Sequence, residues 1–260
     1  MKYIYALLLV FICFSSSAQV YYSAGYSLGS PQGEMKSNIK SLHSITTGMT
    51  YRLKGALSRV QAGIDFSWGS YASERKEQTF NFDNGTSTRT WVNYSSNVVQ
   101  AGLTARVMLL QDKKIMPYIS GKSGYASFYS TIYIEDPHDP AGCKALDERN
   151  LIKDGTFTGS YGGGMQLDWS LFCKKNQKGR RYIDISVNKT SGNNIGYINT
   201  KKLIDPANPP VSSDGKPLTV QFINATTQQI HEHQVAEVYN TPLRMLEFKI
   251  NAIFLLNCNR

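Results

Sequence analysis

The chain has 260 residues, with 28 Lys and Arg against 19 Asp and Glu, a formal charge of +9 and 41% hydrophobic residues. Its mean hydropathy of −0.32 is far too polar for a helical membrane bundle, and after the first eighteen residues there is no apolar run of the ~18 or more residues that a spanning helix needs. Removing those eighteen leaves 242 residues (260 − 18), enough for one domain, and the even spacing of the later segments marks no second one.

Residues 1–18, MKYIYALLLVFICFSSSA, combine one basic residue, an apolar run from Tyr3 to Phe14 and small residues ending at Ala18. This is the layout of a secretory signal peptide, with cleavage expected before Gln19 and a mature domain over 19–260. Export removes nucleic acid as a partner. The mature charge of +8 (27 − 19) then describes a solvated basic surface, whose available counterparts are outer-membrane lipid and lipopolysaccharide phosphates.

Apolar and polar residues then alternate over segments of about ten positions, the period of two that puts neighbours on opposite faces of a strand. In chain order the predicted strands are Val20–Leu28, Leu42–Leu53, Val60–Trp68, Val99–Leu109, Ile115–Ile134, Phe157–Leu171, Arg181–Asn188 and Leu246–Leu256. In the third, Val60, Ala62, Ile64, Phe66 and Trp68 share one face, with Gln61, Gly63, Asp65 and Ser67 on the other. Ile115–Ile134 switches phase, which suggests a bulge near Gly121 or Gly124. Residues 54–58, 111–114 and 173–180 read as short turns, and 30–41, 73–93, 135–155 and 192–242 as long loops.

Exported, alternating and helix-poor, the chain is expected to be all-β: an eight-stranded antiparallel up-and-down transmembrane β-barrel in the outer membrane of a Gram-negative cell, with short periplasmic turns and long outer loops. A ten-stranded barrel is the alternative, because Leu218–Asn224 can form a further strand. Strands longer than the ~9 to 11 residues needed to span suggest hairpins that project beyond the outer surface.

Four stretches carry a family resemblance: the Ala18-Gln19 junction, GYSLGSPQGEMKSNI (Gly25 to Ile39), SYGGGMQLDWSL (Ser160 to Leu171) and TPLRMLEFKINAIF (Thr241 to Phe254). On these the chain resembles the porin-like outer-membrane β-barrel proteins of Bacteroidetes-type bacteria. The resemblance implies a barrel and an outer-membrane address, and it brings no catalytic residues. The chain ends in Leu255-Leu256-Asn257-Cys258-Asn259-Arg260 rather than in the terminal aromatic of many such barrels.

The inward face holds four cations, Arg52, Arg106, Lys122 and Lys249, against four anions, Asp65, Asp168, Asp184 and Glu247. Side chains largely fill the interior of an eight-stranded barrel, so these groups are expected to pair into an ion network that plugs the lumen. A narrow polar conduit for small solutes is the competing reading. The function expected is structural anchoring, or binding of an envelope protein through the outer loops.

No cofactor, metal or catalytic site is expected. His231 and His233 lack a third ligand by spacing, and Glu135, Asp136 and Asp139 lack the spacing of a calcium loop. A lipid-modifying enzyme would need a clustered nucleophile and base, and His43 is the one base the spacing offers near an outer strand end. Outside the signal, Cys143, Cys173 and Cys258 make an odd number, so at most one pair can form. Cys173 with Cys258 is one option, and three free thiols, or an exposed Cys143 open to a partner, is the preferred reading. Trp68, Tyr71, Trp91 and Tyr94 at one end, with Tyr118 and Trp169 at the other, read as interfacial girdles.

Overall fold

A computed structural model describes residues 19–81, 85, 87–111, 113–136, 145–172, 181–201, 215–223 and 230–256. Among the described residues the alternating segments form nine strands: β1 (Gln19–Pro31), β2 (Leu42–Arg52), β3 (Val60–Asn81), β4 (Ser87–Met108), β5 (Ile115–Glu135), β6 (Ala145–Asp168), β7 (Arg181–Ile198), β8 (Lys216–Ile223) and β9 (Ile230–Leu256). All pair antiparallel. Strands β1 to β7 follow in sequence, β9 joins β7, and pairing of β9 with β1 closes an eight-stranded barrel. Closure removes every free edge from that part of the sheet.

The register fixes the barrel's shape. Pairing runs from Val20 through Tyr51, Ala62, Ala105, Gly121, Tyr161, Lys189 and Leu246 and returns to β1 at Ser30, ten residues on. A stagger of that size over eight strands tilts them by about 40°. Inward glycines permit the close strand approach: a Cβ at Gly63 would lie 2.0 Å from the Met49 carbonyl oxygen.

Toward the end where β1 begins and β9 stops, the outward positions are apolar. Ile64, Leu103, Ile119, Phe157, Tyr161 and Ile250 are among the exposed large side chains. On β6 the outward row runs from Leu167 to Phe157, ten residues that at this tilt give an apolar belt about 25 Å tall.

Beyond the belt the two faces exchange character. Val92, Tyr94 and Val98 in β4 and Ala126, Phe128, Ile132 and Ile134 in β5 are buried inside, while the odd-numbered residues between them are more exposed. This exchange explains the apparent phase switch in β5. Inward positions stay on even numbers from Met116 to Ile134, pairing is continuous past Gly121 and Gly124, and the register shifts against β6 lie at Ser130/Thr131 and Ile134/Glu135. A bulge between Ser70 and Ala72 brings Tyr71 and Ala72 inside together as β3 enters the same region.

Much of what the sequence marks as loop is strand. Segment 73–93 is a hairpin paired out to Asn81 and Ser87, and 145–155 belongs to β6. Leu218 does lie in a strand, but β8 pairs with the outer extension of β9 and adds nothing to the barrel. The β6–β7 ladder ends at Thr158 and Gly192. From there two sheets, β3-β4-β5-β6 and β7-β9-β8, face each other as a head: Tyr71, Val98 and Phe128 of the first share a core with Ile195, Tyr197 and Leu243 of the second. At the other end β6 stops at Asp168, and Trp169–Leu171 is a 3-10 turn rather than strand.

Candidate functional site: the charged layer of the lumen

Alternation along the tilted strands stacks the barrel interior in layers. Near the start of β1 and the end of β9, Tyr21, Met108, Met116, Tyr118, Tyr182 and Ile253 form a largely apolar floor. Toward the head a ceiling is built from Leu42, Ala126, Phe128, Val98 and Met245. The connection between β1 and β2 closes onto it: a helical turn at Met35–Asn38 buries Met35 and is followed by buried Ile39. Asn38 Nδ2 donates to the Tyr197 hydroxyl at 3.2 Å, and the Thr200 amide donates to the Asn38 carbonyl at 2.9 Å.

Between floor and ceiling lies the charge. Asp65 in β3 accepts from Lys122 in β5 and, at 3.3 Å, from Lys249 in β9. Lys249 Nζ also stands 3.6 Å from Glu247, two residues away on the same face of β9. Nearer the floor, Arg106 in β4 lies 3.5 Å from Asp184 in β7, whose other oxygen accepts from the Tyr118 hydroxyl at 2.7 Å. The Arg106 guanidinium sits over the Tyr118 ring, 5.0 Å from its centroid. Three cations thus face three anions, all with side chains at most 14% exposed.

Neutral groups complete the layer. Ser120 donates to Asn188 at 2.9 Å, Thr46 to Asn251 at 2.6 Å and Gln166 to Gln61 at 3.5 Å. The remaining space among Asp65, Arg106, Tyr118, Lys122, Glu247 and Lys249 is a cavity of about 20 Å³, room for one or two waters.

Six of the eight charged residues expected in the lumen therefore meet. The other two stand at the barrel's rim. Arg52 is half-buried and donates from Nε to the Ser58 carbonyl at 3.0 Å. Asp168 is buried and accepts from the Ser170 amide at 2.8 Å, capping the 3-10 turn that ends β6. Sequence reasoning missed Tyr118 as a partner of Asp184, although its even number in β5 marks it as inward.

The aromatic expectations divide in the same way. Trp68 and Trp91 are exposed, but Tyr71, Tyr94 and Tyr118 are buried inside, not on an outer girdle. Trp68 instead donates to the Tyr129 hydroxyl at 3.2 Å. His43, on the outer wall, is hydrogen-bonded through Nδ1 to Tyr26. Cys143, Cys173, Cys258, His138 and Asp139 lie outside the described residues, as do the side chains of His231 and His233 in β9. Among the described residues no group of three or more His, Cys, Asp and Glu is arranged to hold a metal ion.

On the head, Glu135 accepts from Arg75 at 2.7 and 3.0 Å and from Asn93 at 2.8 Å. The hydrogen bonds from Arg75, reinforced by Asn93, hold the Glu135 carboxyl below its ordinary value. Arg75 also lies over the Trp91 ring, 4.6 Å from its centroid. Deeper in the head, burial raises the Tyr94 hydroxyl to about 12, against the opposing hydrogen bond from Gln78.

No protein-family model matches the sequence, and no curated protein matches it. Among solved structures, the chain is similar to Neisserial surface protein A, with 8% identity and a TM-score of 0.45, covering 93% of this chain and 100% of that one. It is similar also to a major outer membrane protein from Thermus thermophilus, with 8% identity and a TM-score of 0.44, covering 92% and 100%. The barrel itself is established by the strand pairing of this chain.

Proposed function

We propose that this chain is exported, spans the outer membrane as a sealed barrel, and anchors a two-sheet head at the cell surface in a structural or binding role. The observation that carries the sealed lumen is the layering of its interior: paired charges between an apolar floor and an apolar ceiling, with Met35 and Ile39 folded into the ceiling. An ion crossing this path would have to part groups that are already paired and then pass two shells lined mainly by aliphatic and aromatic side chains.

Membrane residence rests on the exchange of faces. An apolar exterior about 25 Å tall around a polar interior matches a bilayer core. The reversed arrangement in the head, apolar inside and polar outside, matches water. The side chains offered to a protein partner are then those of the head, such as exposed Arg75 and Trp91.

The test is conductance of the purified, heat-modifiable barrel in planar bilayers. A folded, inserted sample that stays silent is expected. Sustained single-channel steps would replace the sealed anchor with a small-solute channel, and acyl release from lipid A would replace it with an enzyme.

A further inference from the structure

One wall of the barrel gathers exposed cations in the outer part of its apolar belt and just beyond it. Lys189 in β7 and Arg244 in β9 are both exposed and point outward. Lys189 is registered between Tyr161 and Leu246, and Arg244 lies opposite Ser191, two residues beyond Leu246 on β9. The outward pair immediately below, Val187 and Phe248, is apolar and exposed.

The turn after β1 adds to this edge. Gly33 lies against the Arg244 side chain: a Cβ there would be 3.7 Å from its Cδ and 3.9 Å from Nη1. Lys36 follows on the same turn, and its carbonyl accepts from Lys201 Nζ. Both lysines are exposed. Four exposed cations thus lie along this wall, on β7, β9, the turn and residue 201, with Glu34 as the carboxylate of that turn. Where β3, β4 and β5 leave the belt, the outward residues Ser70, Asn97 and Ser127 carry no charge.

We propose that the β7-β9-β1 wall is a docking surface for the phosphorylated headgroup of the outer-leaflet glycolipid, the lipid A part of lipopolysaccharide. The inference rests on the reading that the belt faces lipid. Acyl chains would lie along Val187, Phe248 and Ile250, while the phosphates meet Lys189 and Arg244, with Lys36 and Lys201 above. A ligand with several phosphates fits several cations at one place. A soluble polyanion would have no use for the apolar wall below them, and a zwitterionic lipid carries its own cation.

The test uses the full mature protein in detergent micelles and native mass spectrometry, with bisphosphorylated lipid A, its dephosphorylated form and phosphatidylglycerol as probes. The double variant Lys189→Gln/Arg244→Gln is compared with Arg89→Gln on the head, and folding of each is verified by heat-modifiable migration. The double variant should bind bisphosphorylated lipid A roughly thirtyfold more weakly at low salt. Arg89→Gln should bind as the parent does, and the dephosphorylated lipid should bind as weakly to the parent as the intact lipid does to the double variant. Equal binding by parent and double variant overturns the proposal. So does equal binding of phosphatidylglycerol, or displacement of lipid A by a soluble sulfated polysaccharide. A parent that fails to insert into bilayers at all refutes the membrane reading beneath it.

Discussion

Removing the Asp65 carboxylate probes the charged layer most directly. Asp65 is shared by two ammonium groups, Lys122 and Lys249. Lys249 keeps Glu247 at 3.6 Å when Asp65 is lost, whereas Lys122, with a side chain only 10% exposed, loses the carboxylate it contacts. At 3.3 Å the Lys249–Asp65 attraction alone is about 5 kcal/mol at an effective dielectric constant near 20. Breaking a buried pair by deleting one partner typically costs ~3–5 kcal/mol, most of it the penalty for the stranded charge. Asp65→Ala should therefore destabilise the barrel by about 4 kcal/mol. The neutral pair Asp65→Leu/Lys122→Met, which keeps the lumen charge balanced, should cost less than half as much. Urea unfolding from lipid vesicles, followed by tryptophan fluorescence and by heat-modifiable migration, measures both variants. A single variant within ~0.5 kcal/mol of the parent, or a double variant as unstable as the single, would refute the idea that pairing holds this layer together.

Gly63→Ala should impair barrel closure rather than merely fill space, because the new Cβ would meet the Met49 carbonyl at 2.0 Å. The folded fraction recovered in micelles should fall sharply, while Gly159→Ala, with nothing within 4 Å of the added carbon, should fold like the parent. In the head, Tyr94 should ionise near pH 12 in an ultraviolet absorbance titration of the difference between parent and Tyr94→Phe. Because its folded value lies above the ordinary 10.0, its contribution to stability is complete below pH 10.0 and is lost as pH rises from there through about 12. A Tyr94 that titrates near its ordinary value would mean that the head core is open to water.

The charge balance of the lumen is legible in the sequence, because alternation alone puts Asp65, Arg106, Asp184, Glu247 and Lys249 on the polar face of their strands. Lys122 follows once β5 is read without a bulge. Which cation meets which anion is not legible there. Asp65 reaches Lys122 and Lys249 across strands that are far apart in sequence, and the ten-residue stagger of the closed barrel brings them together. Arg52 and Asp168 have the right parity and the wrong height, since both lie where their strands end and turn geometry claims them.

The sequence by itself determined the class of the molecule: a period of two, with one apolar face per segment, commits eight segments to a barrel that is apolar outside. It also determined that the strands outrun a bilayer. Only the tertiary structure decided where lipid-facing alternation gives way to its reverse. Phe128 falls in the segment whose phase looks broken in sequence, and it becomes core with Val98 only because a second sheet carrying Ile195, Tyr197 and Leu243 closes over them. The meaning of an apolar residue on a strand depends on what covers its face, and in this chain the cover is supplied from a distant part of the sequence.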